Sequence, residues 1–175
     1  MKSLILGLLL LFAKSSENPF DEAAKVRVLI FARTDCPITN RYAPELSRIA
    51  QEFAAQGVKF WVVYPDKSET ADRIARHMTD YHLPGRGIGD PGGALRKRAE
   101  ARIAPQAAVF DSGGRLVYSG RIDDRFVAFG TARPAASVHD LENAIGAVIG
   151  GRRVAEARTK AIGCYLDDLD DGSGR

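Results

Sequence analysis

The stretch Val26–Ala32, VRVLIFA, runs directly into residues 33–40, RTDCPITN, and this junction decides the fold. The first part is a compact apolar run rich in β-branched residues, which predicts a buried strand. The second part is polar and leads into a helix predicted from about Tyr42 to Ala55, because its apolar side chains recur at helical spacing. Cys36 therefore lies at the turn between a strand and a helix.

Patterns further along the chain predict a parallel β-α-β unit, then a hairpin and a closing helix. In chain order we expect a strand at Val58–Tyr64, a second helix boxed at its start by Asp66 and Glu69, a loop over Pro84–Gly93, a short basic helix over Ala94–Ala101, a hairpin from Ala107–Asp111 and Arg115–Ile122, a loop over residues 123–136, and a last helix capped by Ser137. This order predicts an α/β fold, with a mixed central sheet and helices on both faces.

Composition narrows the class of protein. The chain has 175 residues, of which 45% are hydrophobic and 27% charged, and this balance fits one globular domain with short tails. A domain of this size buries an adequate core without a disulfide or a metal. The formal net charge is only +3 and the basic residues are scattered, so we expect no nucleic-acid partner.

The amino-terminal apolar run predicts export. Residues 4–13, LILGLLLLFA, are too few to span a bilayer comfortably as a helix, and they resemble the apolar region of a secretory signal. We therefore expect a signal peptide or N-terminal anchor at 1–13 (a membrane tether if retained), a flexible entry segment at 14–24, the folded domain at 25–163 and a fraying C-terminal tail at 164–175. The expected location is the periplasm or cell envelope, where a disulfide persists.

The position of Cys36 predicts a reactive thiol. Backbone N–H groups and the helix dipole at a helix amino terminus stabilise an anion, so a thiolate there has a lowered pKa. Pro37 is compatible with a first helical turn, and Arg33 and Arg41 add positive charge nearby. The alternative is an inert buried cysteine, which the polar residues on both sides disfavour.

Several motifs resemble those of a known superfamily. An apolar strand followed by Asp35-Cys36-Pro37-Ile38-Thr39 resembles the active-site turn of the thioredoxin superfamily, and Ala104-Pro105 before a strand resembles the cis-proline that faces the active cysteine. The segments DCPITNRYAPEL, FDSGGRLVYSGRIDDR and TKAIGCYLDDL look like the redoxin branch, which is labelled alkyl hydroperoxide reductase/thiol-specific antioxidant. The resemblance spans about residues 25–167, and it implies a thioredoxin fold and thiol-based oxidoreductase chemistry in the cell envelope.

Three departures separate this turn from the standard members. Thr39 stands where thioredoxin has its second cysteine, and a hydroxyl cannot resolve a mixed disulfide. Ile30 replaces the buried acid of thioredoxin, and Arg33 stands where peroxiredoxins have a threonine. The turn therefore encodes neither a standard dithiol reductase nor a standard peroxidase.

Cys164 is the second thiol, and two interpretations of it stay open. In one, Cys36 attacks a protein or small-molecule disulfide or a peroxide, Cys164 resolves the product, and an external thiol reduces both sulfurs. In the other, the two form a permanent disulfide in a non-catalytic module, stabilising the fold by about 4–5 kcal/mol. Sequence alone does not show whether the two sulfurs meet.

Three further residues are candidates for substrate binding. They are Thr39, Pro105 and Arg121. A cis Pro105 would leave the backbone before it free to pair with an extended peptide. Arg121 is a candidate partner for the Cys36 thiolate, with a surface ion pair as the alternative.

Cofactors and metals are not expected. The glycine-rich stretch GRGIGDPGG follows a helix rather than a strand, so it is not a nucleotide-binding motif, and no organic cofactor is predicted. A copper site on the same scaffold, from Cys36, Cys164 and His77, is the alternative function. Their spacing matches no metal signature, so we predict no metal ligand and expect the histidines to be surface or capping residues.

Overall fold

The computed structural model describes residues 18–166, and its elements follow the predicted order with additions. The strands are β1 (Val26–Phe31), β2 (Val58–Tyr64), β3 (Arg86–Gly89), β4 (Ile103–Ala104), β5 (Gln106–Phe110), β6 (Leu116–Gly120), β7 (Phe126–Ala128), β8 (Thr131–Ala132) and β9 (Cys164–Tyr165). The helices are α1 (Pro37–Phe53), α2 (Ala71–Asp80), α3 (Ala94–Arg98) and α4 (Asp140–Ile149), with a 3-10 turn at Ala54–Gln56.

Five strands form the central sheet in the order β3-β2-β1-β5-β6. β1 and β2 are parallel, as are β2 and β3, whereas β5 is antiparallel to both β1 and β6. This arrangement confirms the predicted α/β class with a mixed sheet. Every residue of β1 is buried, because both faces of the sheet are covered.

Alternation along β1 divides the core between the two faces of the sheet. Val28 and Ile30 pack in one hydrophobic cluster with residues of α1 and α4. Leu29 and Phe31 pack in a second cluster, which includes Leu166 near the carboxyl end of the described chain. The carboxyl-terminal residues are therefore part of the core.

The stretch Pro84–Gly93 contains a strand, so its prediction as a loop was wrong. β3 consists of Arg86, Gly87, Ile88 and Gly89, and two glycines in four residues hide the strand pattern. Gly87 is needed for close packing, since a Cβ there would lie 2.7 Å from Ile74 Cγ2 and 2.7 Å from Met78 Cγ. A packing requirement thus overrides local strand propensity.

Two helix starts also differ from the prediction. α1 begins at Pro37 rather than Tyr42, and Cys36 is its N-cap residue. The predicted box of Asp66 and Glu69 is absent, because the Thr70 side chain caps α2 and Glu69 instead accepts hydrogen bonds from Thr34.

The last helix and the loop before it show further differences. α4 begins at Asp140, and Ser137 does not cap it but hydrogen-bonds to Asp124. The β7–β8 hairpin lies inside the predicted loop over residues 123–136.

The two ends of the chain were the subject of separate predictions. Cys164 and Tyr165 form β9, and Leu166 is fully buried, so the first residues of the predicted fraying tail pack on the domain. Residues 1–13 lie outside the described residues, so the signal peptide or anchor stays a prediction. Within residues 18–166, no helix has the length and apolar character to cross a membrane.

Candidate active site

Cys36 occupies the N-cap position of α1, directly after the loop that leaves β1. Its backbone is extended, with φ −84° and ψ 112°, and its side chain is fully buried. The Cys36 thiol donates a hydrogen bond to the backbone carbonyl of Ala104, with an S···O distance of 3.1 Å. The sulfur therefore lies at a helix amino terminus, as the sequence predicts, but it has no exposed surface.

The carboxyl-terminal strand brings the second sulfur to the first. β9 pairs antiparallel with β4, and Cys164 lies opposite Ala104 in that register. The Cys164 thiol contacts Cys36 with an S···S distance of 3.0 Å, and both cysteines are free thiols in this structure. Only the tertiary fold makes this contact, since 128 residues separate the two positions.

The surroundings favour ionisation of Cys36 over that of Cys164. Burial opposes ionisation of Cys36, but hydrogen bonds from the Cys164 thiol, from the backbone and hydroxyl of Thr39 and from the Cys164 backbone lower its pKa overall. Burial raises the pKa of Cys164, and so do the hydrogen bond and the charge of the neighbouring Cys36. Of the two thiols, Cys36 therefore loses its proton first.

The Thr39 hydroxyl is a hydrogen-bond donor that can stabilise a thiolate at Cys36. This hydroxyl is buried and has no hydrogen-bond partner among residues 18–166, while the Cys36 thiol donates to the Ala104 carbonyl. The same hydroxyl lowers the pKa of Cys36, because an unsatisfied buried donor gains a partner when the sulfur ionises. Its predicted role in substrate binding stays a prediction.

Pro105 follows the strand that faces Cys36. The Ala104-Pro105 bond is cis, as the resemblance implies. The backbone before Pro105 was expected to be free for a substrate peptide, but in this structure it is paired with another strand, and the role of Pro105 in substrate binding stays a prediction. β9 pairs with Ile103 and Ala104 and occupies that edge.

The arginines expected near the sulfur have other partners. Arg33 forms an ion pair with Asp35, at 3.0 Å, and its guanidinium also donates to the Tyr165 carbonyl at 3.3 Å. Arg121 forms an ion pair with Asp140 at 2.7 Å, and no described contact joins it to Cys36. The ion pair is the alternative named for Arg121, and a role in substrate binding stays a prediction for that residue.

His77 is buried, which corrects its assignment to the surface or a cap. Its two ring nitrogens lie 2.7 Å from the Tyr64 hydroxyl and 2.8 Å from Asn40 Oδ1. Burial lowers the pKa of His77, so the ring is neutral near pH 7. Both nitrogens are thus engaged away from the sulfurs, and nothing in their placement favours the copper alternative.

Sequence reasoning missed the residues that hold Cys164 in place. Leu166 donates its backbone N–H to the Arg102 carbonyl at 2.8 Å and buries its side chain. Gly163 lies against Ala104 so closely that a Cβ would be 2.0 Å from the Ala104 oxygen. The sequence signal for these residues is the motif Ile-Gly-Cys-Tyr-Leu, whose apolar residues and glycine are unexpected in a fraying tail.

Comparison with known proteins supports the fold. Residues 13–119 match the family model described as the AhpC/TSA family, a range that includes Cys36 and ends before Cys164. A hypothetical protein from Sinorhizobium meliloti 1021 is similar, with TM-score 0.71, 24% identity, and coverage of 87% of this chain and 82% of that chain. An uncharacterized conserved protein from Geobacillus kaustophilus has TM-score 0.71, 21% identity, and coverage of 89% and 82%.

A third structure carries a functional name. It is a putative thiol:disulfide interchange protein DsbE from Chlorobium tepidum, with TM-score 0.57, 20% identity, and coverage of 74% of this chain and 84% of that chain. At these identities the likenesses show the thioredoxin-like fold alone. A search of curated proteins found no match.

Proposed function

Because the chain belongs to the AhpC/TSA family, we propose that it is a thiol-based oxidoreductase in which Cys36 is the nucleophile and Cys164 is the resolving thiol. Membership of this redoxin family supports thiol-based redox chemistry in general. The observation that carries the specific proposal is the S···S distance of 3.0 Å between two free thiols at a helix amino terminus. Little motion is needed for a bond to form between them.

The proposed cycle oxidises the two thiols to one disulfide. With a disulfide substrate, the Cys36 thiolate attacks one sulfur and the other leaves as a thiolate. Cys164 then loses its proton and attacks the Cys36 sulfur, which releases the second substrate thiol. With a peroxide, the Cys36 thiolate attacks one oxygen, the O–O bond breaks, and the other oxygen leaves as an alcohol or water after taking up a proton. Cys164 then attacks the sulfur of the resulting Cys36 sulfenic acid, which forms the disulfide and releases water. Two electrons from an external thiol reductant restore the reduced pair.

The lowered pKa of Cys36 and the raised pKa of Cys164 support this order of events. The nucleophile should be the sulfur that ionises first, which is Cys36. Burial is the main cause of the raised pKa of Cys164, and the hydrogen bond and charge of Cys36 add to it, so this pKa should fall once Cys36 has formed a bond and lost its negative charge.

A static disulfide is the competing interpretation, since the same distance would allow it. The midpoint potential of the Cys36–Cys164 pair separates the two. A working pair should have a potential well above about −300 mV, whereas a structural disulfide should lie below that value. A potential below that limit, together with lower stability and no trapped partner in Cys164→Ala, would favour the static disulfide.

Trapping gives a second, chemical test. In Cys164→Ala the resolving step is removed, so a mixed disulfide between Cys36 and a disulfide substrate should accumulate, and mass spectrometry would detect it. Cys36→Ala is the matched control, and it should form no such adduct. Equal adducts on both variants would contradict the assignment of the nucleophile.

We also propose that the protein is exported, so that its partners are disulfides, peroxides and thiols of the cell envelope. Support comes from residues 4–13 and from the two cysteines, which suit an oxidising compartment. Fractionation of cells that express the full chain should place it in the periplasm or on the membrane. Recovery in the cytoplasm alone would contradict this.

A further inference from the structure

The strand that faces Cys36 has an edge at which an extended segment pairs. β4 consists of Ile103 and Ala104, and within the described residues its strand partner is β9. The Ala104 carbonyl also accepts the hydrogen bond from the Cys36 thiol. A chain that pairs with β4 therefore brings its own side chain at the position of Cys164 into contact with the reactive sulfur.

The segment that fills this edge is anchored at both ends. We call residues 157–166 the C-terminal strap. At its start, Ser119 donates its N–H to the Ala157 carbonyl at 3.0 Å, and the Thr159 hydroxyl lies 2.6 Å from that of Tyr118. At its end, Leu166 is buried in the core. Cys36 is fully buried beneath these contacts.

Gly163 fits the strap to the edge. A Cβ at this position would lie 2.0 Å from the oxygen and 2.7 Å from the carbon of the Ala104 carbonyl. Both atoms are backbone and cannot rotate away, so the approach requires glycine directly before the cysteine. A chain that pairs with β4 in this register therefore requires glycine directly before the residue that contacts Cys36.

From these observations we propose that the strap is an internal substrate, which an external peptide disulfide must displace to reach Cys36. This inference rests on the proposed function and names its substrate class, which is an extended polypeptide with glycine directly before the reacting cysteine. The same edge then holds the substrate strand and the strap in turn.

Exchange at one edge couples binding to resolution. When the substrate strand occupies β4, the Cys36 thiolate attacks its disulfide, and the distal sulfur leaves as a thiolate. When the strap returns, Cys164 attacks the Cys36 sulfur of the mixed disulfide. That step forms the Cys36–Cys164 bond, releases the substrate sulfur as a thiolate and removes the substrate strand from the edge. The Cys164 proton passes to solvent.

A binding experiment separates displacement of the strap from sulfur chemistry. The probe is a synthetic peptide of residues 157–166 that carries Cys164→Ser, and the proteins are full chains that carry Cys36→Ser. Gly163→Ala in the protein should weaken the pairing of the protein's own strap with β4. The peptide should therefore bind this variant at least about tenfold more tightly than it binds the Cys36→Ser parent, because the competing internal ligand is released. The control variant is Gly146→Ala, since a Cβ at this helical position would have no described atom within 4 Å apart from its chain neighbours and the backbone of its own helix. It should bind the peptide as weakly as the parent does.

The peptide itself supplies the test of specificity. A peptide that also carries Gly163→Ala should bind the Gly163→Ala protein at least about tenfold more weakly than the first peptide, because its Cβ meets the Ala104 carbonyl. Equal binding of the two peptides, or no gain from Gly163→Ala in the protein, would overturn the proposal. If Gly163→Ala fails to fold, Leu166→Ala releases the strap by a different route and serves in its place.

These results are independent of the proposed function. No sulfur that takes part in exchange is present in the peptide, and Cys36 is replaced in the protein. Loss of redox activity in the native chain would therefore contradict the proposed function while leaving peptide binding intact. A redox-active native chain with no peptide binding to the released edge would contradict the strap proposal alone.

Discussion

The two sulfurs reach the same point by different means, and comparison of the two regions is instructive. Cys36 is held by local structure, since the end of β1 and the start of α1 fix its place within a few residues. Cys164 is held by contacts with parts of the chain distant in sequence, among them Arg102, Ala104 and Ser119. The position of Cys36 should therefore change little when distant residues are mutated, whereas the position of Cys164 should change whenever a mutation releases the strap.

The largest effect is expected from the nucleophile itself. Cys36→Ser should lower the rate of the first oxidation step by at least about 10³-fold, because a serine hydroxyl is not ionised near pH 7. Cys164→Ser should leave that first step within about tenfold of the native rate and prevent turnover. Rapid-quench measurement of single-turnover rates would show this contrast, and equal losses in both variants would contradict it.

The strap should open when its buried anchor is removed. Leu166→Ala creates a cavity that costs about 2–5 kcal/mol, so the rate of Cys36 alkylation in the reduced protein should rise at least about tenfold. Tyr165→Ala is the matched control, because Tyr165 is 64% exposed and contributes little packing. Similar rates for Leu166→Ala, Tyr165→Ala and the native protein would mean that the strap does not control access to Cys36.

A smaller effect is expected at the amino terminus of α1. Thr39→Val removes the hydroxyl donor and should raise the pKa of Cys36, while Thr39→Ser keeps the donor and should leave this pKa close to the native value. Thiolate absorbance in the ultraviolet, followed against pH, measures ionisation without any need for access to the sulfur. If the pKa of Cys36 in Thr39→Val equals the native value, the Thr39 hydroxyl does not contribute to the ionisation of Cys36.

The smallest effect concerns His77 and stability. Because burial lowers the pKa of His77, the unfolded chain binds a proton more readily than the folded chain, so the free energy of unfolding falls as the pH drops through about 6.5. The contribution of His77 is at most about 1.4 kcal/mol per pH unit. It should disappear in His77→Gln and persist in His82→Asn, which replaces an exposed histidine. Denaturant unfolding at several pH values is the measurement.

Local signals accounted for the region around Cys36. A β-branched apolar run predicts β1, and the helical spacing predicts most of α1, because both features depend on residues close together in the sequence. The direction of the Cys36 pKa shift was also predicted, although the largest contribution that lowers this pKa is the hydrogen bond from the distant Cys164 thiol. Even here the exposure of Cys36 was beyond prediction, because the residues that bury its sulfur include Cys164 and Ala104.

Contacts between residues far apart in the sequence explain why the predictions for β3 and His77 were wrong. The sequence pattern did not predict β3, because glycine at position 87 is required by close packing against the side chains of Ile74 and Met78 and has low strand propensity. His77 was expected at the surface because its partners, Tyr64 and Asn40, lie on other elements.

By itself, the sequence determined the α/β class, the strand-turn-helix unit and the place of Cys36 at the start of a helix, because hydrophobic periodicity and helix termini act over a few residues. Only the tertiary structure decided that Cys164 meets Cys36 and that the strap fills the edge beside Ala104. The physical reason is that a contact between residues 128 positions apart depends on how the whole sheet is wound, which no local pattern encodes.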